Sequence, residues 1–228
     1  MAFIEKRSIA GYRLARSVCR GGEQADRGEV RGVTPETTNR EMNERTVLSA
    51  WLTLPAEHRA LLQTVGADQW RIVDEPLGMV ASDLLHSAGH TLGKAEQESL
   101  NDAVGVWVPS LQVVLINESH RALAGLDTSS REAFLARIAW HEWGHALSVA
   151  RCSPEDIADG ARLLDLAPAG ISASIRGANY RRSQYTHELI AEIYALLMAR
   201  RLRGVYGQPS WLHSELQQLI ARATNLSD

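Results

Sequence analysis

Lysine is nearly missing from this sequence. Lys6 and Lys94 are the only two, and arginine supplies the rest of the side-chain positive charge. We read that imbalance as a compositional bias, so scattered arginines are not taken as phosphate ligands. Neither sign of charge is in large excess. The formal net charge of −3 gives no global pull toward nucleic acid or anionic lipid. Cysteine is scarce too: Cys19 and Cys152 are the only two and form no Cys-x-x-Cys pair. That excludes a cysteine zinc ribbon and a disulfide-built scaffold, and Cys152 reads as a small buried thiol. No apolar run approaches the ~20 residues of a membrane-spanning helix. The start, Met1-Ala-Phe-Ile-Glu-Lys-Arg7, lacks the apolar centre of a secretory signal. The expectation is a soluble cytoplasmic protein with no membrane partner. With no helix-turn-helix signal or basic aromatic patch, nucleic acid is not an expected partner either.

What is present suits one core. Hydrophobic residues make up 45% of the 228 positions and charged residues 22%, ordinary values for a globular chain. Residues 1–33 are rich in glycine and charge and read as a flexible N-terminal arm. Residues 34–100 read as a helical N-terminal part. It opens on the cap pair Thr34-Pro35, with Met42, Thr46, Leu48 and Trp51 facing inward. A second helix runs from Pro55 to Gly66, a short strand covers Trp70 to Val73, and Pro76–Gly78 reads as a turn. His86 and His90 are four apart, but Gly89 and Gly93 interrupt them, so they read as loop histidines.

Residues 101–228 hold the remaining elements. Val104–Val108 and Gln112–Asn117 flank Pro109-Ser-Leu111 and read as an antiparallel hairpin. The second strand is also a candidate edge to which an extended substrate could add. Ser129-Ser-Arg-Glu132 has the spacing of a capping box and starts a helix to about Arg151. Ser153-Pro154 caps another helix through Leu164, and a loop follows to Ser183. Trp211, Leu212, Leu216, Leu219 and Ile220 give the last helix an apolar stripe. The fold class expected is α+β, mostly helical, with a small antiparallel sheet packed on the central helix.

That central helix carries Ala139-Trp-His141-Glu142-Trp-Gly144-His145-Ala-Leu147. On a helix His141 and His145 are one turn apart, so both imidazoles leave the same face and can reach one Zn²⁺. Glu142 sits about 100° around the helix, beside that metal. There it could act as general base toward a metal-activated water. A catalytic zinc keeps three protein ligands, so two histidines need a partner. Tyr185-Thr-His-Glu188-Leu-Ile-Ala-Glu192 sets two carboxylates one turn apart on a strongly apolar helix. A buried carboxylate is costly unless it has a partner. The economical arrangement puts Glu188 on zinc and Glu192 as hydrogen-bond acceptor for a ligand ring, His141. The alternative has both glutamates facing solvent and pairing with Arg181, Arg182 or Arg200.

The strand ending in Asn117, the His141–His145 helix and Glu188-x-x-Ala-Glu192-x-Tyr-Ala together resemble a gluzincin metallopeptidase. The resemblance is closer to the minimal ImmA/IrrE-type peptidases and covers roughly residues 104–200. It departs from them at Glu192, where those enzymes carry Asn, and in the long stretch between His145 and Glu188. A metzincin would need Gly and His at Ser148 and Arg151. The resemblance implies a minimal zincin-like fold, Zn²⁺ as cofactor, and hydrolysis of peptide bonds, as an endopeptidase rather than an exopeptidase. It implies His141, His145 and Glu188 as ligands, Glu142 as base and Glu192 behind the ligands. Tyr180, Tyr185, His187 and His213 are candidates to stabilise the oxyanion. The expected partner is a protein or peptide substrate, with the N-terminal arm or the C-terminal helix as a further protein contact. The rival readings are a regulatory or partner-binding protein with little turnover, and a protease toxin or effector of a mobile element.

Overall fold

The computed structural model describes residues 35–178, 180–207 and 209–224, and side chains from residue 39 onward. The N-terminal arm expected over 1–33 and the Thr34 cap lie outside the described residues. Ten helices and three strands follow in this span. The first is α1, Pro35–Leu52. Its inward stripe is Asn43, Val47 and Ala50, while Leu48 is exposed, so the expected inward set is off by about one position. α2, Ala56–Thr64, ends before Gly66, whose φ of 70° turns the chain toward the sheet.

β1 spans Trp70–Val73. The expected turn at Pro76 instead opens α3, Leu77–Ser87, and α4 follows at Lys94–Asn101. β2, Gly105–Val108, and β3, Val113–Asn117, form the expected antiparallel pair, joined through a 3-10 turn at Pro109–Leu111. The sheet is larger than that hairpin. β1 pairs with β3 in parallel, Trp70 opposite Val114 and Val73 opposite Asn117. The order β1-β3-β2 makes a mixed sheet with β3 in the centre. This overturns β3 as an edge for substrate: both of its neighbours are already in place. The reason is visible in the strand itself, which is buried at all five positions and has no wet face or free side.

α5, Thr128–Arg151, is the longest element. Its N-cap is Asp127, which accepts from the Ser130 N–H at 2.9 Å, not the expected Ser129. An aspartate at N-cap also places negative charge at the positive end of the helix dipole. α6, Pro154–Ala158, carries the expected Ser153 cap, but the helix breaks at Asp159 and resumes as α7, Gly160–Asp165. The expected loop beyond Pro168 contains α8, Ala169–Gly177. α9, Tyr185–Leu202, and α10, Ser214–Thr224, complete the order. Among the described residues, no helix is long and apolar enough to cross a membrane.

Two apolar cores flank the α5/α9 pair. The larger joins α1–α4, the sheet and α5, and runs across residue 100 without a break. The smaller joins α7, α8, α9 and α10. α9 serves both: Tyr194, Ala195 and Met198 face the first, and Leu189, Ile190, Ile193 and Leu197 face the second. α5 is tied to the N-terminal helices by its own tryptophans. The Trp140 indole N–H donates to the Ala50 carbonyl at 3.1 Å, and that of Trp143 to Ala67 at 3.0 Å. Trp51 and Trp70 close on Trp143 at ring separations of 5.2 and 6.1 Å. Such aromatic pairs add about 0.5–1.5 kcal/mol each beyond the area they bury. At the start of α5, Arg131 donates to the Glu118 carbonyl at 2.8 Å and to Asn43 at 3.1 Å, fixing that end against β3 and α1.

Candidate metal centre

α5 and α9 lie unusually close because a glycine permits it. A Cβ on Gly144 would stand 2.8 Å from the Ala191 Cα and 3.3 Å from Tyr194. Backbone at that distance cannot move aside as a flexible side chain would. The close approach lets a carboxylate on α9 reach two imidazoles on α5.

It brings together His141, His145 and Glu188, all three buried, with one ligand atom from each within 4.8 Å of the others. The His145 and His141 Nε2 atoms are 3.0 Å apart. Glu188 Oε2 is 3.5 Å from His145 Nε2 and 3.8 Å from His141 Nε2. The two rings meet edge to face at 80°, as i and i+4 side chains on one face allow. Two nitrogens and a carboxylate turned to one point, each no more than 3% exposed, need a cation between them. A tetrahedral ion with bonds of ~2.0–2.1 Å separates its ligands by about 3.3 Å, and the three observed separations bracket that value. The residues therefore fit a divalent ion held by a His/His/Glu set.

Glu142, 1% exposed, lies beside the cluster and accepts at Oε2 from the Trp107 main-chain N–H at 2.9 Å. That contact joins β2 to the helix and uses a backbone donor on the side of β2 away from β3. Glu192 stands 3.7 Å from His141 Nδ1, longer than a hydrogen bond, and its other oxygen accepts from Arg137 at 2.7 Å. Glu192 thus sits behind the ring and pairs with an arginine of α5, not with Arg181, Arg182 or Arg200. Glu188 does not face solvent at all.

The four candidate oxyanion donors separate. Tyr180 is at the site, with its hydroxyl hydrogen-bonded to Glu188. Burial above all, and then the carboxylates of Glu188, Glu142 and Glu192, hold its pKa far above the usual phenol. His187 turns away, its Nδ1 2.8 Å from the Ser148 hydroxyl, which itself donates to the His145 carbonyl. Tyr185 packs against the second core, and His213 is exposed before α10. Asn117, at the end of β3, accepts from the Ser119 N–H at 3.0 Å and so shapes the turn after the strand. Cys152 is inert, its thiol pushed up to about 12, first by burial and then by Asp156.

Sequence reasoning missed Trp107 and Arg137. Arg137 could have been found, since it lies one turn before His141 on the same helix face. Trp107 acts through its backbone, which carries no signature in the side-chain sequence.

Comparison with protein-family models, curated proteins and solved structures found no match.

Proposed function

We propose that this chain is a zinc-dependent peptidase of the gluzincin type, built on a minimal zincin-like core. The observation that carries the reading is the buried convergence of His141, His145 and Glu188, with Glu142 on the adjacent turn of the same helix. A fully buried acid beside such a cluster has no structural need that an alanine would not meet, and a proton-transfer role supplies one.

When bound, the ion would polarise the scissile carbonyl and lower the pKa of a water, as zinc does in hydrolases. The chain's own residues divide the remaining work. His141, His145 and Glu188 hold the ion. Glu142 takes a proton from the attacking water on its carboxylate and returns it to the leaving nitrogen. The Trp107 main-chain N–H keeps that carboxylate in one orientation. Tyr180 holds the Glu188 carboxylate through its hydroxyl, and Glu192 lies behind the His141 ring, tethered by Arg137. The substrate is a protein or peptide.

Metal content tests the ligand set. Zinc measured by elemental mass spectrometry should be near stoichiometric in the wild type and in Glu142→Gln, and strongly reduced in Glu188→Ala. Full retention in Glu188→Ala would remove Glu188 from the site. Hydrolysis should fall about 10²–10⁴-fold in Glu142→Gln, the usual contribution of a positioned proton-transfer group. Cellular proteins that shorten on expression of the wild type, and not of Glu142→Gln, would identify substrates.

A further inference from the structure

The α5/α9 pair can be followed beyond the cluster. Moving back along α5 one turn at a time gives His145, His141 and Arg137; moving forward along α9 gives Glu188, Glu192 and Leu196. The pairing is antiparallel: Glu188 lies near His145 and His141, and Glu192 near His141 and Arg137. The next step, Leu196, lines a pocket of about 480 Å³ together with Arg137, Pro168, Ile171, Glu192 and Trp211. That volume lies within the ~300–1,000 Å³ typical of small-ligand sites.

Three properties set its chemistry. Its walls are apolar and come from three places: α8 with the proline before it, α9, and the segment before α10. Its charged edge is self-satisfied, because Glu192 and Arg137 are joined at 2.7 Å, so the pocket presents no isolated charge that calls for an opposite one. Trp211 leaves 48% of its surface exposed while its neighbour Leu212 is buried. Leaving so much aromatic surface in water is unfavourable unless something covers it in use.

Glu192 also makes the pocket continuous with the cluster, since the carboxylate that edges the pocket is 3.7 Å from His141 Nδ1. One helical turn is about 5.4 Å, and an extended peptide advances about 3.3–3.6 Å per residue. A peptide whose carbonyl sits at the cluster therefore has a neighbouring side chain at the pocket mouth.

We infer that this pocket receives a bulky apolar side chain, aromatic or branched aliphatic, of the residue flanking the scissile bond. Leu196, Ile171 and Trp211 set that preference. The inference rests on the peptidase reading above and adds the substrate class.

Binding of peptide hydroxamates to the zinc-loaded full chain tests it by calorimetry, without turnover. The probes are acetohydroxamate, which has no side chain, and amino-acid hydroxamates of Ala, Leu, Phe and Asp. Phe or Leu should bind at least about tenfold tighter than Ala, the lower end of what filling an apolar pocket is worth, and Asp weakest. Trp211→Ala, at an exposed position, and Leu196→Ala should each shrink the Phe-to-Ala ratio while zinc content holds. Equal affinity for Phe, Ala and Asp alongside measurable acetohydroxamate binding would overturn the pocket and leave the metal site standing. An unchanged Phe-to-Ala ratio in both variants would do the same. Failure of every probe, acetohydroxamate included, would overturn the metal reading and the pocket with it.

Discussion

Histidines four residues apart occur twice in the chain, and the two regions treat them in opposite ways. His86 lies in the last turn of α3, while His90 lies beyond it, past Gly89 with its φ of 79°, and both are exposed. His141 and His145 lie inside α5, buried, with Glu188 delivered to them from another helix. The spacing is identical, so spacing does not make a site. Three things differ: a continuous helix that keeps both rings on one face, burial that denies them water, and a partner element close enough to bring a carboxylate. His58 is a third case. It is 1% exposed, 2.8 Å from the Tyr194 hydroxyl at Nδ1, and burial first of all lowers its pKa to about 4. Burial next to a phenol gives a neutral core histidine; burial next to a carboxylate gives a cation site.

The contrast is broken most strongly at the cluster. His141→Ala should weaken zinc binding by more than the ~10–100-fold that an outer partner typically costs, whereas His86→Ala and His90→Ala should leave it unchanged. Competition with a chromophoric chelator measures all three, and a matching loss in His86→Ala would erase the distinction between the pairs.

A smaller effect separates buried from exposed histidine by pH. His58 has a folded pKa below its unfolded value of 6.5. Its contribution to stability is therefore fully present above pH 6.5 and is lost as pH falls through about 4. The linked loss is about 3 kcal/mol across that window. Urea unfolding of zinc-free protein at pH 7 and pH 4 should show a flatter acid dependence in His58→Gln than in the wild type. The exposed His86→Gln should keep the wild-type slope, and an equal flattening in both variants would count against the assignment.

The smallest effect tests the close approach that creates the difference. Gly144→Ala forces a Cβ against the Ala191 backbone and should cost about 1–3 kcal/mol, read as a lower thermal midpoint. Because strain there parts α5 from α9, zinc should be held less tightly too. A stable Gly144→Ala protein with full zinc affinity would show that the helices have slack.

Much of the site was legible before the fold. His141, Glu142 and His145 announce themselves by spacing on one helix. Glu188 and Glu192 stand out as acids on a segment otherwise made of leucine, isoleucine and alanine. The β2/β3 hairpin was legible from two apolar runs around a proline turn. α8 and the first turn of α3 were not, because each follows a proline that reads equally as a turn or as a helix start. β1 was recognised as a strand, but its parallel pairing with β3 was not, since the partners lie more than forty residues apart with two helices between them. The Asp127 cap was lost to a better-looking serine two residues on.

By itself, then, the sequence determined the local chemistry: which side chains share a helix face, where helices begin and end, and which residues are apolar enough to be buried. The tertiary structure decided which of these local possibilities became a site. It put β3 in the centre of the sheet, set Arg137 on Glu192, and turned the Trp107 backbone toward Glu142. The reason is that periodicity acts within one element, at separations of a few residues. Burial and the meeting of α5 with α9 depend on two long-range facts, a glycine where the helices touch and two cores that press α9 from both sides.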